Sequence, residues 1–303
     1  MPPFPRAALL GLVLLAPFAA RAESPACAAI AAKWEAQKAD LQTPQVSALL
    51  FAAADNGCDK IAGSLLTGGA LIEAKDRVAN TPLGHAAMEG RLEMVVFLVA
   101  HGADIQHRNI AGSSALFLAI ERHHRDVATF LVEHGADPNA PGRSGDTPLA
   151  VAAFGGDEAT VGLLLDHGAD PKLADRTGKA PIIYAAARGK AGIVKRLLAA
   201  GIDINARYEN DLTVLMWAAG HADGVAEPDG VATVAMLLDA GARVDAADNR
   251  GRTALMIAAE RGHAAIVKLL LARGANAALR DKEGKSALDL AADAGVRTVL
   301  APG

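Results

Sequence analysis

Aromatic side chains are scarce in this sequence: Phe, Trp and Tyr supply 4% of it, although 51% of the residues are hydrophobic. The core must therefore be built from Ala, Leu and Val, which favours helices over strands. An excess of basic charge is also missing. The formal net charge is −4, which argues against non-specific nucleic-acid binding, since that needs surplus Lys and Arg. Catalytic signatures are absent too: there is no nucleophile elbow, P-loop, HExxH, CxxC or dinucleotide fingerprint. No spacing singles out a Ser, His or Asp for chemistry, and nothing calls for a cofactor. Beyond residue 22 no stretch approaches the roughly 18 unbroken apolar residues of a membrane-spanning helix.

The first 22 residues read as a separate segment. Arg6 gives a short basic start, AALLGLVLLAPFAA is an apolar run, and Ala20-Arg21-Ala22 fits a small-x-small cleavage site. The expectation is a secretory signal removed before Glu23, with the bacterial periplasm as first destination and full secretion as second. A retained membrane anchor is the alternative. Export would place Cys27 and Cys58, the only cysteines, in an oxidising compartment that favours pairing them over two buried thiols. Closing that loop is worth about 3–4 kcal/mol in the chain-entropy model.

What the sequence has in abundance is self-similarity. Leu50, Leu83, Leu116, Leu149, Ile182 and Leu215 follow one another at 33 residues; the next step, to Leu255, is 40, and the last, to Leu288, is 33 again. The stretch HGAD, beginning at His101, His134 and His167, recurs at the same period. Within one unit, Thr81 is placed as an N-cap and Pro82 at the first helical position. Gly90 ends this short helix. A second helix carries Leu92, Val95, Val96, Leu98 and Val99 at helical spacing, and Gly102 closes it. Such a pair has too little apolar surface to stand alone and must stack on its neighbours, giving an all-α solenoid.

Thr-Pro-Leu-x-x-Ala-Ala, Gly, a Leu-Leu pair and Gly-Ala-Asp at this pitch resemble the ankyrin repeat family, from Ala48 to the C terminus. The resemblance implies helix-turn-helix repeats joined by β-hairpin or loop fingers. It also implies a protein-binding scaffold rather than an enzyme. One departure recurs: where the family usually has His after Thr-Pro-Leu, this chain has Gly84, Phe117, Ala150, Ile183, Met216 and Met256. The organisation expected is a signal peptide over 1–22, an N-terminal capping helix over 23–47, and a solenoid over 48–303. The solenoid comprises seven full repeats and a truncated C-terminal cap, with an insertion near 220–230.

Asp223, Glu227 and Asp229 of the insertion match no calcium-loop spacing and read as a solvated loop extension. Tyr184 and Trp217 read as core filling rather than an aromatic ligand box. His123 and His124 point in two directions on one helix, and His263 stands at the family's Gly-His position. The HGAD histidines sit in the last turn of a helix, where they favour its C-terminal end, and no metal site is assigned. A small-ligand or metal-binding protein, using the histidines and the acidic insertion, is the alternative function.

A surface remains. The seven fingertips carry twelve Lys or Arg against eight acids, while the rest of the mature chain is strongly acidic. That polarity points to a partner protein with an acidic face, steered by charge. The expected contacts on the fingers are Arg77, Arg108, Arg143, Arg176, Lys179, Arg250 and Arg252. On the first helices they are Glu121, Arg122 and Arg188, with Met88 and Phe154 as apolar anchors. The protein is expected to act as a monomer.

Overall fold

A computed structural model describes residues 24–301. The signal peptide expected over 1–22 lies outside the described residues. The first helix, α1 (Pro25–Gln37), starts as the sequence predicts: Cys27 N–H donates to the Ser24 hydroxyl at 3.2 Å, with Pro25 at the first helical position. Helix pairs follow: α2 (Thr43–Asn56) with α3 (Asp59–Thr67), and α4 (Pro82–Met88) with α5 (Leu92–Ala100). The third and fourth units are α6 (Ala115–Glu121) with α7 (Arg125–Glu133), and α8 (Pro148–Gly155) with α9 (Glu158–Asp166). The fifth and sixth are α10 (Pro181–Ala187) with α11 (Ala191–Ala199), and α12 (Val214–Ala219) with α13 (Glu227–Asp239). Last come α14 (Ala254–Glu260) with α15 (Ala264–Ala272), and the shortened α16 (Ala287–Leu290) with α17 (Ala294–Leu300).

Each first helix packs on the next first helix, and each second helix on the next second helix. Contacts along the first row are the more extensive, because the Ala pairs there, such as Ala86–Ala87 and Ala185–Ala186, are fully buried and let backbones approach closely. In the second row Met94, Val95 and Leu98 are buried, whereas Val96, placed on the apolar face by its spacing, is 40% exposed.

Hydroxyl caps recur at the start of the first helices. Thr81, Ser114, Thr147, Thr213, Thr253 and Ser286 each accept an N–H three residues on, at 3.2–3.4 Å. Ala180 holds the same place before α10 and offers no such acceptor. Ala180→Ser is expected to raise stability by about 1 kcal/mol, read as a higher urea midpoint at unchanged slope. An unchanged midpoint would show that Ile183 N–H, which already donates to the Ala180 carbonyl at 2.9 Å, gains nothing from a side-chain acceptor. The inter-helix turn needs a left-handed residue. Gly90 supplies it with φ 66°, and in the third unit His123 takes that conformation with φ 62°, at a cost of about 1 kcal/mol.

The fingers form no strands among the described residues, only isolated bridges between Arg108 and Ser114 and between Ala247 and Thr253. Their shape is set by carboxylates instead. Asp76, Asp175, Asp248 and Asp281 each accept the backbone N–H groups two and four residues ahead, at 2.7–3.0 Å. Asn109 does the same with Ala111 and Ser113. A second series ties unit to unit: Glu73, Gln106, Asn139, Asn205 and Asp245 accept from Asp104, Asp137, Asp170, Arg243 and Asn276 N–H respectively.

The ends are closed. Trp34 of α1 is 6% exposed and lies so tightly on Gly68 that a Cβ there would overlap its ring. Cys27 and Cys58 are joined, with Cα atoms 5.4 Å apart, and Cys58 immediately precedes α3. Two boundaries differ from expectation. The capping helix ends at Gln37, and α2 starts at Thr43, so the division at 47/48 falls inside α2. The insertion is only partly a loop: residues 220–226 are, but Glu227–Gly230 begin α13, which has 13 residues where the six second helices α5, α7, α9, α11, α15 and α3 have nine.

Candidate partner-binding surface

Side chains late in the first helices and on the fingers share one side of the stack. At the centre is Phe154, 49% exposed at the end of α8. The Arg188 guanidinium stands 4.9 Å over its ring, and Tyr184 meets it edge-on at 6.1 Å. The Tyr184 hydroxyl donates to Asp175 and lies 3.3 Å from Asp146. Burial first, and then Asp175, push the Tyr184 pKa well above its ordinary value. Burial would raise the Asp175 carboxyl, but bonds from Tyr184, Lys179 and Thr177 hold it below the usual carboxylate range.

Tyr184 is thus a half-buried part of this surface, which corrects the expectation that it fills the core; Trp217, also half-buried, packs against the core as expected. Lys179 Nζ sits 5.5 Å over the Trp217 ring and 3.5 Å from Glu209. The Trp217 indole N–H is covered and has no acceptor among the described residues.

The expected finger contacts divide into two groups. Arg77, Arg143 and Arg176 are exposed and make no salt bridge or side-chain hydrogen bond among the described residues. Arg250 is exposed beside Asp248, at 3.6 Å. Arg108, though exposed, donates to the Gly112 carbonyl at 2.7 Å and to Pro141 of the next finger. Arg252 is a clear correction: it is 7% exposed, bonded to Glu260 at 2.7 Å and 3.4 Å from Asp281. Burial would lower its pKa, but those two carboxylates raise it. It holds two units together and presents no charge to a partner. On the first helices Glu121 and Arg122 are exposed, while Met88 is half-buried and so a smaller anchor than its position suggests.

The HGAD histidines act on their own helices. His101, His134 and His167 place Nδ1 2.7–2.8 Å from the carbonyl four residues back, and the first two stack on Phe97 and Phe130. Among the described residues no three His, Cys, Asp or Glu side chains gather as a metal-ligand set. An open cavity of about 280 Å³ lies beside the insertion, lined by His221, Asp223, Glu227, His263 and Ile266.

Family models described as ankyrin repeats match residues 49–142, 149–227 and 237–291. The chain belongs to the ankyrin repeat family. The crystal structure of the human ASB11 ankyrin repeat domain is similar to it, with 34% identity and a TM-score of 0.65, covering 73% of this chain and 96% of that one. No curated protein matches the chain significantly.

Ankyrin repeats mediate protein–protein interaction, and the sequence's departure from the family shows in the packing. Phe117, Ala150, Ile183, Met216 and Met256, standing where the family usually carries His, are all at most 6% exposed. Burying the larger of these side chains contributes about 1.5–3 kcal/mol each, so at these positions the first helices are held by apolar contact; an imidazole joins the row elsewhere, where His85 of α4 meets Asp55 of α2 at 2.7 Å.

Proposed function

We propose that this ankyrin-repeat protein is an exported, non-enzymatic and monomeric scaffold that grips a partner protein with its first-helix face and fingertips. The observation that carries this reading is Phe154, a half-exposed aromatic ring oriented by Arg188 and Tyr184 in the fourth of the stacked units. Exposed aromatic and Arg side chains of this kind are the usual anchors of protein recognition. Arg77, Arg143, Arg176 and Arg250 add exposed positive charge on the fingers, which suits an acidic partner face. Export is supported by the apolar segment and cleavage pattern of 1–22 and by the bonded cysteines, which persist in an oxidising compartment. The periplasm is the first destination and secretion the second. Nucleic acid does not figure as a partner, and no described helix is long and apolar enough to cross a membrane.

The test is affinity capture from a periplasmic extract, followed by titration of the purified partner. Phe154→Ala is expected to weaken binding by about tenfold or more, that is about 1.4 kcal/mol. Arg143→Glu with Arg176→Glu should slow association and flatten its salt dependence. A partner whose affinity ignores all three substitutions would remove this face from the account.

A further inference from the structure

The insertion at 220–226 breaks the 33-residue period, and partner binding as read above makes no use of it. Two histidines fasten it. His221, inside the insertion, is 7% exposed, and its ring lies on that of His263, between α14 and α15, with centroids 3.9 Å apart and planes 11° apart. His221 Nδ1 faces the Ala222 carbonyl at 3.2 Å, and His263 Nδ1 faces the Ala219 carbonyl at 2.9 Å. A carbonyl can only accept, so each ring carries its proton on Nδ1 and, when neutral, a lone pair on Nε2. The chain itself is tied by Ala222 N–H, which donates to the Ala187 carbonyl of the preceding unit at 2.9 Å.

Acid would put a second proton on His263 Nε2. Neither Nε2 has a hydrogen-bond partner among the described residues. That of His221 is packed on Gly230, where a Cβ would stand 2.7 Å away. Protonation of His263 sets a partly buried positive charge against the His221 ring, 3.9 Å away, and gives the new N–H no protein acceptor. The other charged groups around the pair do not cancel this. Arg261, beside His263, adds positive charge, and Asp223 of the insertion opposes it. Glu227 on α13 lines the same cavity but is exposed. Asp293, before α17, faces Gly262 and is engaged by Val296 N–H. Asp229 lies against Gly189.

We propose that the His221–His263 stack is an acid-released latch: with His263 neutral, it holds the insertion on the solenoid; with His263 protonated, it lets the insertion go. Ala187, which the insertion grips, holds the same repeat position as Phe154, so release would open the edge of the partner face. The sign follows from the burial that, ahead of the opposing Ala219 carbonyl, keeps the His263 pKa below its ordinary 6.5. The detached state binds protons more readily, so attachment is full above that value and is lost as pH falls below it.

Amide hydrogen exchange followed by NMR, corrected for intrinsic rates, tests the latch without any partner. Between about pH 7.5 and pH 5, Ala222 protection is expected to fall about tenfold or more. Lys190 N–H, bonded inside the fifth unit, serves as the control and should not change. His263→Phe keeps a stacked ring that cannot take a proton, and should hold its protection at the lower pH. His221→Gln removes the stack and should leave Ala222 weakly protected at both. Wild-type protection that ignores pH, or an acid loss in His263→Phe equal to wild type, overturns the proposal.

Discussion

Replacing Cys27 and Cys58 together with alanine is expected to lower stability by about 3–4 kcal/mol in the chain-entropy account of cross-links. The cross-link spans a sequence separation of 31 and ties α1 to the start of α3. α1 in turn covers the open end of the stack with Ile30 and Trp34, both at most 9% exposed. Stability in a solenoid is a sum of unit and neighbour terms, so the loss should appear first as fraying at that end. Urea unfolding monitored at Trp34 should move to lower denaturant, and protease should cut between α1 and α2 earlier than in wild type. Coincident unfolding curves for the two proteins in oxidising buffer would show that the cross-link adds nothing to the cap.

Leu149→Ala, in the middle of the array, is expected to cost about 3–5 kcal/mol. Leu149 is fully buried on α8, which packs on both α6 and α10. The cavity would weaken two interfaces at once and divide the array into halves that unfold separately. The two tryptophans stand on opposite sides of the division, Trp34 at the N-terminal end and Trp217 in the sixth unit. With each removed in turn, the remaining fluorophore should report a different urea midpoint in the Leu149→Ala background. The same change at Leu288, only partly buried in the last unit, should cost less and leave the other transitions in place. A single shared transition at the wild-type midpoint would contradict the expectation.

The architecture was legible because its signals are local and repeated. A Thr or Ser cap, an Ala pair and closing glycines lie within one unit, and seven near-copies expose the period even where His123 stands for Gly. The Cys27–Cys58 pairing was also within reach, since the register places both residues at one end of the stack. The candidate surface was legible only in part. Phe154, Arg143 and Arg176 are exposed as their repeat positions suggest, but counting fingertip charges treated structural groups as free ones. Asp175 and Asp248 spend their carboxylates on their own turns, and Arg252 is claimed by Glu260 eight residues on and Asp281 in the next finger. Those partnerships depend on how units stack, which a single-unit reading does not hold. His221 was missed for the same reason. Its stacking partner is 42 positions away, and the only cue was that a histidine opened an irregular insertion.

The fingertip carboxylates carry a consequence for how this molecule could acquire new partners. In four fingers one aspartate fixes the backbone, and the two residues after it are exposed: Arg77 and Val78, Arg176 and Thr177, Asn249 and Arg250, Lys282 and Glu283. Because the loop's conformation is dictated by a neighbour, these positions are free to drift without disturbing the fold, Thr177 apart, whose hydroxyl donates to Asp175. They form a row of rewritable sites on a constant backbone, so specificity can diverge among descendants, or be selected from a library, one finger at a time.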